Sequence, residues 1–286
     1  MRMNTECVLC FQRQALEAVR MAGASDATES GTIAAVMRSL LDIPWDARPP
    51  LMAQAVHSLV RLRLGGIDPY ARIKQEDNEH ARVLYTTLQS LVASSPDPLR
   101  TAVGIAILGN SMDAAPAHAR DGRADVVSAV DTPLAIDHTP ALSAALSGAS
   151  RVLVLADNAG EIFCDRLLIE TVRTLYGDKD VVVGVKGGPI LNDATEADAV
   201  AAGIDRLPGC TLAYVSNGEA GTGLARESPS FRAYLDTFDV VMAKGQGNYE
   251  MLSDESDVFF LFKVKCPLVA RHAGVPVGSL VCGRAV

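Results

Sequence analysis

Val152-Leu153-Val154-Leu155-Ala156-Asp157-Asn158-Ala159-Gly160-Glu161 runs from an unbroken apolar stretch straight into an acid, an amide, a glycine and a second acid. A short apolar run bounded by turn residues reads as a strand buried on both faces. The same pattern recurs downstream. Strand-like runs at Arg151–Ala156, Asp180–Val185, Thr211–Val215, Phe238–Ala243, Val258–Phe262 and Pro267–Ala270 alternate with helical stretches at 161–175, 195–202 and 229–236. Apolar strands separated by helices predict an α/β fold with a mostly parallel sheet covered on both sides.

Upstream of this region the character differs. Residues 1–108 read as helical, beginning with a mixed amphipathic stretch around Leu9, Arg13, Leu16 and Val19. Further helical pieces follow near 28–41, 48–62, 69–93 and 97–108, separated by turns such as Gly65-Gly66-Ile67-Asp68-Pro69. The expected organisation is a helical part (1–108), a connection (109–150) and an α/β part (151–286).

Composition narrows the function classes. The chain has 286 residues, 49% of them hydrophobic and 21% charged, with a formal net charge of −8. That profile belongs to a globular protein with a sizeable core. No basic stripe exists to track nucleic acid, so no nucleic-acid partner is expected. No apolar run reaches the roughly 18 residues of a membrane span, and Met1-Arg2-Met3-Asn4 opens no signal-peptide pattern. Six dispersed cysteines read as reduced thiols, which places the protein in the cytoplasm.

In an open parallel sheet, ligands bind beyond the carboxyl ends of the strands. Three such ends carry polar chemistry. After the first strand, Asp157 and Asn158 offer oxygen to a hard cation, or else they cap the following helix. After the second, Asn192-Asp193-Ala194-Thr195 repeats the choice, and two such acids on neighbouring strands would give the sparse oxygen set that Mg²⁺ takes. The third end is Lys244-Gly245-Gln246-Gly247-Asn248-Tyr249-Glu250. Its glycines allow backbone N–H groups to approach an anion at a helix start, and Lys244 adds charge. Phe262-Lys263-Val264-Lys265 then brings a lysine out of an apolar strand, which is costly without an anion.

The segments Leu155–Glu161, Pro189–Thr195 and Ala243–Glu250 resemble the damage-control phosphatase family, long known as domain-of-unknown-function family 89. Cys7-Val8-Leu9-Cys10, Lys74-Gln75-Glu76-Asp77-Asn78-Glu79-His80-Ala81, Gly109-Asn110-Ser111-Met112-Asp113 and Lys263-Val264-Lys265-Cys266-Pro267 resemble its prokaryotic branch, in the expected order. The resemblance implies a helical part packed on a Rossmann-like sheet domain. It implies a divalent metal (Mg²⁺, Mn²⁺, Co²⁺ or Ni²⁺) on Asp157, Asn158 and Asp193. It also implies a small phosphorylated metabolite as substrate, with phosphate bound by Lys244, Gly245, Gln246, Gly247, Asn248 and Lys265. Glu161 and Asn110 complete the candidate substrate set, and Asp157, Asp193 and Lys265 the catalytic one. Eukaryotic relatives carry Arg-x-x-Lys where this chain has Phe262-Lys263-Val264-Lys265, so their substrate choice does not transfer.

Two other classes share parts of this pattern. An S-adenosylmethionine-dependent carboxyl methyltransferase would share the Rossmann-like fold but needs no Asp-Asn-Asp metal set. A non-catalytic phosphometabolite sensor would use the same loop without turnover. Cys7 and Cys10 form a CxxC with no second close pair after it, open to a structural or a metal-binding role, and Cys266, His272 and Cys282 could complete a site only by long-range folding.

Overall fold

The computed structural model describes residues 1–42, 44–109, 132–215 and 229–284. Its helices are α1 (Thr5–Met21), α2 (Asp26–Leu41), α3 (Pro49–Arg63), α4 (Ala71–Ser94), α5 (Pro98–Leu108), α6 (Thr139–Gly148), α7 (Glu161–Tyr176), α8 (Glu196–Ala202), α9 (Pro229–Leu235), α10 (Gly245–Leu252) and α11 (Pro267–Ala273). The strands are β1 (Ile136–Asp137), β2 (Arg151–Leu155), β3 (Asp180–Val185), β4 (Cys210–Tyr214), β5 (Val240–Lys244), β6 (Val258–Lys263) and β7 (Leu280–Arg284). Among the described residues no helix is long and apolar enough to cross a membrane.

The sheet runs β1-β7-β6-β5-β2-β3-β4, parallel at every pairing except β6 with β7. Side chains alternate across it with the period of two that strands impose. Val152, Val154, Val183 and Met242 face a core shared with α4 to α8. Leu153, Leu155, Val241, Ala243, Phe260 and Phe262 face a second core with α9, α10 and α11. Burial of each Val, Leu, Met or Phe side chain among them contributes about 1.5–3 kcal/mol, which is why these runs form central strands.

Two expectations are corrected. Pro267–Ala270 is the start of a helix, not a strand. Proline at its first position needs no N–H partner there, and Gly274, at φ +71°, ends it in the left-handed conformation. Its place in the sheet goes to β7, antiparallel. The stretch 109–150 is more than a connection, because its residues from 132 onward include β1 and α6, and Leu142 and Leu146 are fully buried against the sheet. The same core takes in α4 and α5, so packing continues across residue 108.

Helices α1, α2 and α3 keep a core of their own around Phe11, Ala15, Val19, Val36, Val56 and Val60. His57 sits in it, 4% exposed, 3.3 Å from the Gln14 side-chain oxygen and edge-on to Tyr70. Burial pushes its imidazole down to about 4 from the usual 6.5. The folded state therefore holds His57 neutral while the unfolded chain takes a proton below pH 6.5. Stability is lost as pH falls from 6.5 toward 4, by about 2 kcal/mol at pH 5. Urea midpoints at pH 7 and pH 5 check this: His57→Gln should narrow the difference, and an unchanged difference would show that the ring carries no such linkage.

Candidate active site

From β2 the chain steps outward through β3 to β4, then returns to β5 on the other side of β2. That reversal opens a crevice beyond the carboxyl ends of β2 and β5, the place where parallel sheets bind ligands. A cavity of about 710 Å³ occupies it. Its floor is made by the strand ends and α10, and its roof by α1 and the start of α3. Asp157, Asn158, Asp193, Gln246, Gly247, Asn248 and Lys265 all line it.

The alternative of helix capping is decided by the local geometry. The N-cap of α7 is Gly160, with no side-chain cap, so neither Asp157 nor Asn158 serves it. The N-cap of α8 is Thr195, in a reciprocal capping box with Asp198, so Asp193 does not serve that helix. The three polar side chains are left to the cavity. They are held as one unit: Asn158 and Asp193 form an isolated antiparallel bridge, and the Ala194 N–H donates to the Asp157 carbonyl at 2.8 Å. Asn158 Nδ2 donates to Asp157 Oδ2 at 3.0 Å and to Glu161 Oε2 at 3.3 Å.

Backbone conformation makes this approach possible. Gly245 has φ +76°, and a Cβ there would overlap the Asp157 carboxylate. Gly160, at φ +70°, lets the loop lie against Asp77 of α4, and its N–H donates to Asn78 Oδ1 at 2.8 Å. Asn78 in turn donates to Asp198, which also pairs with Lys74 at 2.8 Å. The Lys74–Ala81 segment is thus a brace that fixes both loops from the helical side. Leu191, between the second strand and Asp193, adopts φ +44° and packs on the α1–α3 core. A bulky residue in that region signals a conformation held by its surroundings.

The electrostatics of the loops are uneven. Asp193 keeps 19% of its side chain exposed. Its carboxyl is nonetheless pushed up to about 6, first by desolvation and then by the nearby Asp157 charge, against the pull of Lys186. The donors present, two carboxylates and an amide, are the oxygen set a hard divalent cation takes, and their mutual repulsion is what such a cation relieves. Among the described residues no three of His, Cys, Asp and Glu stand arranged to hold a metal.

Three expected substrate residues, Lys244, Glu161 and Gly245, do not line the cavity. Lys244 is fully buried and does not line the cavity. Its ammonium donates to Glu161 Oε1 and Asp165 Oδ1, both at 2.6 Å, and to the Ala106 carbonyl at 2.7 Å. Glu161 is spent on the same ion cluster. A lysine at the end of a buried strand needs anions, and the first turns of α7 supply them before any phosphate can. Asn110 lies outside the described residues, as does Asp113. Asn248 lines the cavity, yet its amide nitrogen donates to the carbonyls of Ala156 and Lys244, which clamps α10 to the ends of β2 and β5. Gln246 accepts from the Lys265 N–H at 2.7 Å and donates to Glu250, tying α10 to the Lys265 loop.

Two wall residues, Lys186 and Glu250, escaped the sequence reading. Lys186 leaves β3 directly into the cavity, buried and 3.6 Å from Asp193. Its signal was the one given by Lys265, a lysine emerging from an apolar strand. Glu250 is pushed up to about 7 by burial, with Gln246 opposing, which suits it to carry a proton near neutrality. Cys266, beside Lys265, faces the same cavity as Cys7 and Cys10.

The comparisons agree with one another. The family model for the damage-control phosphatase ARMT1-like domain matches residues 3–281. A damage-control phosphatase of Pyrococcus horikoshii is 32% identical over 99% of this chain and 98% of its own. One of Archaeoglobus fulgidus is 36% identical over 80% of each chain. A crystal structure of a DUF89 family protein from P. horikoshii superposes over the full length of both chains, with a TM-score of 0.89 and 31% identity.

Proposed function

Because the chain belongs to the ARMT1-like damage-control phosphatase family, and is accordingly a phosphatase of phosphorylated metabolites, we propose that its chemistry takes place in the cavity beyond β2 and β5. The observation that carries this reading is the convergence there of Asp157, Asn158, Asp193, Lys186 and Lys265 at the sheet's topological switch point.

Asp157, Asn158 and Asp193 would hold the divalent cation on which enzymes of this family generally depend. When bound, that cation supplies positive charge to the phosphoryl oxygens and so favours the transition state. The chain's own residues do the rest. The first turn of α10 would present backbone N–H groups at Gln246 and Gly247 to an anion. Lys186 and Lys265, both on the cavity wall, would supply charge to the phosphoryl group. Glu250 is placed to accept or return a proton. Either water attacks phosphorus directly, with a wall carboxylate as base, or Asp157 or Asp193 attacks as a nucleophile. A cytoplasmic setting suits the free cysteines.

Phosphate release from a panel of sugar phosphates and related phosphomonoesters, each assayed with Mg²⁺, Mn²⁺, Co²⁺ and Ni²⁺, tests this. Turnover that appears with one of these ions and is abolished by chelation is expected. Tight ligand binding without release would favour a sensor. Turnover indifferent to chelation would remove the metal from the reading.

Lys265 gives a narrower test. It is exposed at the cavity edge, so Lys265→Met should change the unfolding free energy, read from urea denaturation, by no more than about 0.5 kcal/mol. A lost charge-assisted contact to phosphate lowers kcat/KM by about 10–100-fold. Loss of stability with normal activity per folded molecule would make it a structural residue instead.

A further inference from the structure

We propose that Cys7 and Cys10 form a thiol–disulfide exchange site on the cavity roof, whose co-reactant is a low-molecular-weight disulfide and whose oxidation lowers phosphatase activity. The effect on activity rests on the reading above; the exchange site itself does not.

Cys7, Cys10 and Cys266 line one cavity, and hydrolysis uses none of them. Cys10 is exposed and the other two half-buried, so a small disulfide can reach them. Metal capture would need three donors around one point, and no such group stands among the described residues. Exchange needs only a pair. Three residues apart on a helix, the Cα atoms of Cys7 and Cys10 are about 5 Å apart, inside the disulfide range of about 4.4–6.8 Å. Their Cβ atoms, at about 5–6 Å, must close to about 4 Å. That closure tightens the first turn toward 3₁₀ geometry, in which residues three apart eclipse. A bond formed at such a cost is readily reduced, as a switch requires and a structural staple does not.

Electrons and protons balance within the exchange. The Cys10 thiolate attacks one sulfur of the small disulfide, forming a mixed disulfide and releasing one thiol. Cys7 then attacks the Cys10 sulfur, closing the protein disulfide and releasing the second thiol. The cysteine pair is oxidised by two electrons, the small disulfide is reduced, and the two thiol protons end on the released thiols. Burial, together with the charges of Glu250 and Cys266, holds both thiols above the ordinary range, so the thiolate fraction is low and the exchange is slow at neutral pH and faster as pH rises.

The oxidised turn bears on the cavity floor. In the reduced state the Cys7 thiol belongs to the α1 cap: the Asn4 N–H donates to its sulfur at 3.5 Å, and it donates to Asn4 Oδ1 at 3.4 Å. A disulfide withdraws that sulfur. The segment before the cap is buried, Met3 against the α1–α3 core and the Met1 side chain in one cluster with Met251 and Leu252 of α10. Loosening it loosens the helix whose first turn faces the phosphate position.

The test incubates the full chain with oxidised glutathione, then counts thiols, maps the bridge by peptide mass and measures phosphate release. Two of the six cysteines should leave the count, mapped to Cys7 and Cys10. Activity should fall and return with dithiothreitol. Cys10→Ser should match the reduced wild type and ignore glutathione. A full thiol count, a bridge elsewhere, a lasting glutathione adduct on Cys266, or a Cys7–Cys10 bridge with unchanged activity each overturns the proposal. Should the reduced protein release no phosphate from any ester, the functional reading fails, while the map still decides whether the exchange site exists.

Discussion

Replacing Lys244 with methionine is expected to cost about 3–5 kcal/mol of stability, because it breaks a buried ion cluster from one side. Lys244 is the only cation against Glu161 and Asp165 among the described residues, and all three are essentially inaccessible to water. Burial pushes both acids up while Lys244 pulls them down. Without the ammonium, both carboxyls must be protonated in the folded state or remain as unpaired buried charges. The sign follows from that. Acids held above their unfolded values oppose folding once pH exceeds the ordinary carboxylate range. The deficit of Lys244→Met should therefore be largest near pH 7–8 and shrink toward pH 4–5. Adding Glu161→Gln and Asp165→Asn to the same chain should recover part of the loss, since no charge is then stranded. Urea unfolding of the single and triple variants at pH 5 and pH 7.5 checks both claims. If Lys244 served the substrate instead, the single variant would keep its midpoint and lose only affinity for phosphate esters.

That result also marks where the sequence stops being readable. The strand-end loops were legible because their chemistry is local. An apolar run that ends in Asp157-Asn158, or a strand followed by Asn192-Asp193, places its polar groups at the sheet's carboxyl edge whatever surrounds it. Lys244 follows the same local rule, but its partners lie on α7, and Ala106 on α5 supplies a carbonyl. Only the packed fold decides whether such a lysine meets a ligand or another helix. Lys186 went unassigned for the converse reason: its signal equalled that of Lys265, and only the bridge of Lys186 to Thr195 aims it at Asp193. Pro267–Ala270 failed at a simpler level. Four apolar residues fit a strand or a helical turn equally well, and the deciding features, Pro267 at the start and Gly274 at the end, lie at or beyond the run's edges.

Asp193→Asn should abolish turnover while sparing the fold. The swap is isosteric and touches no helix cap, because Thr195 and Asp198 cap α8 by themselves. It removes one full negative charge from an oxygen set that has only two. Charge is most of what holds a hard cation on oxygen ligands, so affinity for the divalent ion should drop sharply. The phosphoryl group then lacks its main source of positive charge, and phosphate release should fall by roughly three orders of magnitude or more. Metal-free stability should move the other way. Ionised Asp193 is held beside Asp157 in partly desolvated surroundings, so neutralising it relieves a repulsion, offset in part by the lost attraction to Lys186. The combination is diagnostic: a metal-free melt at or above that of the wild type, a much smaller rise in melting temperature on adding metal, and activity that high metal concentrations restore only partly. A purely structural Asp193 would lower the melt and leave activity per folded molecule intact. Wild-type phosphate release by Asp193→Asn at low metal concentration would remove Asp193 from the cation set, and with it the second of its two carboxylates.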